Sequence, residues 1–369
     1  MLQKARELFA LRKQTSEKVI PQNVLYSERK EQSSNRDPRT LKLNVNLIFN
    51  KGEYKSIPDT PQELAKRRDD LLAVLASPTV DMKRLRELSW KGVETRRDAV
   101  WKMLLGVVSN NVAEHGAERL RVRRDYEGLL EHNNVELCPR KNLVGIDLRR
   151  TYNEIEWFSE PAVVAVLTRV LCLWDMTGVG GYLQGMSDLA AIMFMVLVGY
   201  DEHQQTKLET PKEELALLEA ELYFMCSSVF SRFFGYYSIG EKGALERILR
   251  DILRIVKTAD HCLGQHFEHH SVELVQFAFR WIYVMLSREL PLRLVFRLWD
   301  CYFSTEDFNR LHSFVVASLL LRFSLQLLKL HTFGELMKML QALPTGGWSK
   351  KDVEMLAQEA TVLMNIFAE

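Results

Sequence analysis

Residues 163–176, 189–198 and 314–321 are apolar on nearly every side of a helix. A helix without a polar face must be covered by other helices all round, which places these three inside a bundle. Residues 214–228 and 272–286 instead carry their apolar groups on one face, the second through Leu274, Phe277, Trp281 and Met285, and this spacing predicts half-buried helices. No Asn-Gly or Asp-Gly turn separates alternating segments, and no repeat of about 20 to 50 residues is visible. The expected fold class is all-α, built from many short helices.

With 369 residues, 47% of them hydrophobic, the chain can bury a core for one large or two ordinary domains. Residues 1–13 are expected to form a short amphipathic helix, and residues 1–59 as a whole a flexible N-terminal arm, because their later part is polar and lacks apolar periodicity. Organised structure is expected over 60–369. It should start at Thr60, where Pro61 and Glu63 give a helix-start pattern and Leu64, Leu71, Leu72 and Leu75 follow.

The 49 basic and 48 acidic residues nearly cancel, which argues against nucleic acid or an anionic membrane as the main partner. Five scattered cysteines without a C-x-x-C pair fit reduced thiols better than a disulfide framework. The charged start of the chain is not followed by a signal-peptide apolar stretch, and the longest apolar run, 189–198, is too short to cross a bilayer as a helix. A soluble, cytoplasmic protein is expected.

Two segments offer chemistry. In the first, Arg150 follows Asp147 by three residues, so that on a helical turn the carboxylate could hold the guanidinium. In the second, Gln184 stands between Tyr182 and Gly185, after a glycine cluster at 178–181 that lets a loop approach a partner closely. An arginine and a glutamine together meet two needs of GTP hydrolysis: a cation for the charge developing on the phosphoryl group, and an amide to orient the attacking water. Taken singly, the residues leave open a solvated cluster for Asp147, Arg149 and Arg150, and a helix cap for Gln184.

Together the segments resemble the TBC-domain GTPase-activating proteins, which act on Rab GTPases. The I-x-x-D-x-x-R-T pattern of that family corresponds to residues 144–151, its Y-x-Q-G-M pattern to 182–186, and its W-D segment to 290–301 with Trp299 and Asp300. An upstream match runs from Leu88, Trp90 and Gly92 through Arg97 to Trp101 and Gly106. The resemblance covers roughly residues 80–365 and is strongest to the Golgi-associated branch known from yeast and its animal relatives, through residues 218–221, 272–281 and 348–356.

The resemblance implies a multi-helix TBC fold and a dual-finger mechanism. Arg150 would enter the nucleotide pocket of a Rab-family GTPase in its GTP form, and Gln184 would position water. Asp147 would orient the arginine, while Tyr182 and Gly185 would shape the glutamine loop. The chain would need no cofactor of its own, since the partner carries GTP and Mg²⁺, and membrane association, at Golgi or other endomembranes, would be peripheral and through that partner. The fingers are expected on loops or helix ends along one exposed groove. Departures from the family pattern are Arg149 in place of proline, Val144 in place of isoleucine, and no proline after Gly92. Retention of both fingers favours an active GTPase activator over a non-catalytic Rab-binding or scaffolding module.

Other readings are weaker. His261, Cys262, His266, His269 and His270 invite zinc, yet no H-E-x-x-H and no third ligand at helical spacing accompany them, so they read as a partly exposed histidine-rich turn with no metal. The glycines at 178, 180 and 181 lack the Lys-Ser/Thr of a phosphate-binding loop. Trp299 is expected in the core, with Asp300 beside it as partner to an arginine such as Arg280 or Arg297.

Overall fold

Thr60 caps the helix Pro61–Leu75 where the sequence predicts it. Its hydroxyl accepts the Glu63 N–H, the Glu63 carboxylate accepts the Thr60 N–H at 2.8 Å, and Pro61 occupies the first position, where an N–H has no helical partner. The computed structural model describes residues 59–200, 212–236 and 243–367. The expected helix over 1–13 and the arm to residue 58 lie outside the described residues. Asp59 is described, and it pairs with Arg67 at 3.1 Å.

The α-helices run in the order α1 (Pro61–Leu75), α2 (Met82–Trp90), α3 (Arg97–Leu104), α4 (His115–His132), α5 (Lys141–Leu148), α6 (Pro161–Thr177), α7 (Met186–Leu197) and α8 (Lys212–Tyr236). There follow α9 (Ala244–Ala259), α10 (His261–His269), α11 (Ala278–Tyr283), α12 (Leu292–Ser304), α13 (Phe308–Arg322), α14 (Ser324–Leu327), α15 (Phe333–Gln341) and α16 (Lys350–Ile366). Among the described residues no strand is present, only an isolated antiparallel bridge between Thr79 and Asn111.

The three all-apolar stretches fall in α6, α7 and α13. Every residue of α7 is buried, including Asp188. Each large aliphatic or aromatic side chain so placed contributes about 1.5–3 kcal/mol relative to exposure. Helix α7 packs on α8 and α6, α6 also covers α5, and α13 lies between α9 and α16. Helix α5 is thereby set on a deeply buried support.

Residues 272–286 do not form the single helix their spacing predicts. A short 3₁₀ turn, Leu274–Gln276, is closed by reciprocal bonds between Glu273 and Gln276, and Phe277 then leaves helical geometry at φ −138° before α11 begins. Helix α11 ends after six residues because Met285 and Leu286 turn left-handed, at φ 49° and 59°, and the Leu286 N–H bonds back to the Trp281 carbonyl. Apolar spacing survives such a break, since Phe277 and Trp281 remain buried.

Trp299 is fully buried, as expected, but Asp300 pairs with neither Arg280 nor Arg297. Its carboxylate accepts from Arg97 Nε at 3.0 Å, Trp101 Nε1 at 2.8 Å and the Val93 N–H at 2.9 Å. Arg280 bonds Glu289, and Arg297 donates to the Trp90 carbonyl and Cys301 Sγ. Asp300 faces α3 across the bundle, a direction that residue spacing along α12 does not encode. The histidine-rich segment is helical rather than a turn, and His266 Nε2 bonds the Leu330 carbonyl at 2.8 Å. Among the described residues no three His, Cys, Asp or Glu side chains converge on a point that could hold a metal ion.

Candidate functional site

Helix α5 stops at Leu148, and the chain continues in one tight turn. The Arg150 N–H bonds the Asp147 carbonyl at 2.9 Å and the Thr151 N–H bonds the Leu148 carbonyl at 3.2 Å. Arg149, at the cap, has φ −63°, the angle proline would impose, so this turn keeps its shape without proline. Val144, Leu148 and Thr151 are buried while Arg149 and Arg150 are exposed.

The second segment is a turn held by glycine. Gly185 sits at φ 100° just before α7, and a Cβ there would lie 3.0 Å from Val284 Cγ1. Tyr182 is 1% exposed and Met186 fully buried, whereas Gln184 between them projects to solvent. Gln184 does not cap α7, which has no side-chain cap.

Two bonds join the segments. The Tyr182 hydroxyl donates to Asp147 Oδ2 at 2.8 Å, and Thr151 Oγ1 lies 3.1 Å from Ser187 Oγ on α7. Burial, together with the Asp147 charge, pushes the Tyr182 phenol up, so it remains a donor across the physiological range. The expected contact of Asp147 with the Arg150 guanidinium is not made, because this carboxylate turns inward to Tyr182. Asp147 links the segments rather than gripping the arginine. Among the described residues the side chains of Arg150 and Gln184 make no hydrogen bond or ion pair.

Arg150 also lines a groove of about 650 Å³, whose walls include Tyr152, Asp188, Arg288, Leu290 and Thr345. Gln184 stands on an exposed turn outside the residues that line it. Tyr152, two residues past Arg150, is left-handed at φ 46°. Strained backbone next to an exposed arginine is a common companion of function.

The Rab-GTPase-TBC domain family model matches residues 94–332, a span that contains both segments. The chain belongs to this family. Human TBC1 domain family member 22A is 32% identical over 318 residues, covering 83% of this chain and 61% of that protein. The GTPase-activating protein gyp1 of Schizosaccharomyces pombe is 28% identical, covering 96% of this chain and 71% of its own. The crystal structure of the Ypt/Rab-GAP domain of Gyp1p matches with a TM-score of 0.76 at 29% identity, covering 82% of this chain and 99% of that domain. The chain spans about three fifths of the length of the human relative.

Within this TBC domain, two features escaped the sequence reading. Asp188, on α7, is 4% exposed and takes a two-pronged bond from Arg288, Nε to Oδ2 at 3.1 Å and Nη2 to Oδ1 at 2.7 Å. Burial pushes its carboxyl up and Arg288 pulls it back. An aspartate at the start of a helix whose remaining residues 189–197 are all apolar needs a cation, so a signal existed in the sequence, though without the partner's identity. The second is the outer face of α5, where Leu143 and Ile146 are exposed, seven and four residues before Arg150. Helical periodicity puts the Leu143 and Ile146 side chains about 60° apart on that face.

Proposed function

We propose that this TBC domain accelerates GTP hydrolysis by a Rab-family small GTPase, with Arg150 and Gln184 supplied in trans. The observation that carries this reading is two exposed, uncommitted side chains, one cationic and one an amide, on segments cross-linked beneath them by Tyr182 and Asp147. A guanidinium with no partner among the described residues is available to the charge that develops on a transferred phosphoryl group, and such a finger is worth about 10³–10⁵ in rate. A free amide on a glycine-hinged turn suits the orientation of a water molecule. The GTPase contributes the nucleotide and Mg²⁺.

Leu143 and Ile146 beside Arg150, and Val179, 90% exposed at the tip of the loop before Gln184, offer an apolar rim for a protein partner. The reading is further supported by the relatives whose names describe GTPase-activating proteins. No helix of the described residues is long and apolar enough to cross a membrane. The domain acts from the cytoplasm and reaches Golgi or other endomembranes peripherally, through the GTP form of its partner.

A Rab whose own catalytic glutamine has been replaced tests the glutamine half. Gln184 supplies the missing amide, so hydrolysis by that Rab still accelerates when the TBC domain is added. Complete insensitivity, with acceleration of the unmodified Rab intact, contradicts the role given to Gln184.

A further inference from the structure

Tyr182 is held at both ends. Its hydroxyl bonds Asp147, and its backbone N–H donates to Oδ1 of Asp175 at 2.7 Å. Asp175 stands near the end of α6, its side chain 1% exposed. The same carboxylate accepts from the Arg140 guanidinium and from the Cys138 thiol, the latter at 3.3 Å. Arg140 immediately precedes α5, the helix that leads to Arg150. One buried carboxylate therefore gathers a donor from the glutamine segment and two from the root of the arginine helix.

The loop between α6 and Tyr182 is wrapped closely on this carboxylate. Trp174 Nε1 donates to the Gly181 carbonyl at 3.2 Å. A Cβ on Gly178 would come within 2.4 Å of the Trp174 ring, and one on Gly181 within 2.2 Å of Arg140 Nη1 and 2.8 Å of Asp175 Oδ1. Only glycine lets the backbone pass at these distances. An isolated Arg140–Asp175 pair, with Arg140 46% exposed, would be an ordinary and weak surface ion pair. Here the carboxylate is sealed and also fixes a backbone N–H two residues before Gln184. Burial pushes the Asp175 carboxyl up, but the Tyr182 N–H, Arg140 and the Cys138 thiol together hold it below the usual carboxylate value, so it is ionised when it accepts these bonds.

We infer that Asp175 is a positioning residue that sets Gln184 relative to Arg150, with Arg140 as its tether to the arginine helix. It touches neither nucleotide nor water and acts through Tyr182. The inference rests on the function proposed above for Arg150 and Gln184.

Two measurements on the full chain test it. The first is hydrogen exchange of the 178–185 segment in wild type, Arg140→Gln and Asp175→Asn, which needs no GTPase. Faster exchange there in both variants, with the melting temperature of Arg140→Gln close to wild type, is expected; exchange unchanged in both overturns the grip. The second is single-turnover hydrolysis at saturating TBC domain, using a GTP-loaded Rab that wild type accelerates, with each variant made in wild-type and Gln184→Ala backgrounds. Misplacing a finger by a fraction of an ångström should cost roughly tenfold in the maximal rate. That loss is expected in the wild-type background with half-saturation unchanged, and less than about twofold in Gln184→Ala, because the two changes act through one group. Equal losses in both backgrounds mean a general structural role and overturn the inference. If wild type accelerates no Rab, the proposed function fails, while the exchange measurement still decides the grip.

Discussion

The Tyr182 hydroxyl and the Asp147 carboxylate, 2.8 Å apart and both buried, tie the turn that presents Gln184 to the helix that leads to Arg150. Tyr182→Phe removes the donor and leaves a buried carboxylate short of a partner, at an expected cost of about 1–3 kcal/mol. Urea unfolding of wild type and variant measures it, and a loss below a few tenths of a kcal/mol would mean that the bond contributes little.

Gly185 and Gly180 separate backbone strain from collision. Both have positive φ, 100° and 86°, but a Cβ on Gly185 meets Val284 Cγ1 at 3.0 Å whereas one on Gly180 meets nothing within 4 Å. Gly180→Ala should cost about 1 kcal/mol, from conformation alone. Gly185→Ala should cost more, about 2–3 kcal/mol, and should also lower GTPase stimulation, since relief of the contact shifts Gln184. Equal stabilities for the two variants would contradict the contact with Val284.

Arg288→Ala strands Asp188 at the start of α7, whose remaining residues 189–197 are all apolar. Hydrogen bonds to a charged group are worth about 1.5–3 kcal/mol, and the half-exposed arginine puts the expected loss toward the lower end. Burial already raises the Asp188 carboxyl, and without Arg288 it rises further. A folded value raised above the unfolded one gives stability that is fully present below the unfolded value of about 3.8 and is lost as pH climbs through the folded value. The deficit of the variant is therefore smaller at about pH 5 than at about pH 7, and denaturant midpoints at the two values check this sign.

His312 is completely buried on α13, with Tyr302 Oη 2.7 Å from Nδ1 and the Ile282 carbonyl 3.3 Å from Nε2. The carbonyl can only accept, so Nε2 carries the proton and Tyr302 donates to Nδ1 in a neutral ring. Burial pushes this imidazole down to about 4 from 6.5. The unfolded chain takes up a proton as pH falls through 6.5 and the folded chain does so only near 4, so stability is present above 6.5 and is lost between those values. Moving from about pH 7.5 to about pH 5 removes about 2 kcal/mol through this group. His312→Asn should flatten the profile over that window, and an unaltered profile would contradict the assignment.

How far the sequence discloses this arrangement depends on the range of each interaction. The all-apolar stretches now in α6, α7 and α13, and the Thr60 cap, are local patterns and were legible. The exposure of Arg150 and Gln184 was legible through the family resemblance, which sets both fingers on loops or helix ends. The direction of Asp147 was not, since the partner that turns it inward, Tyr182, is 35 residues away. Asp300 with Arg97, and Asp188 with Arg288, were hidden for the same reason: spacing shows that a buried carboxylate needs a cation, and only the folded chain chooses which one. The break between Leu274 and Leu286 escaped because left-handed Met285 and Leu286 carry no glycine to announce the turn.

The most direct test of the central claim is single-turnover GTP hydrolysis across a panel of GTP-loaded Rabs, with wild type, Arg150→Ala and Gln184→Ala in parallel. Strong acceleration of a few Rabs by wild type is expected, reduced by about 10³-fold or more in Arg150→Ala and cut to a low but measurable level in Gln184→Ala. Rabs that bind the domain but hydrolyse GTP no faster with wild type than without it would contradict the account and leave a binding module.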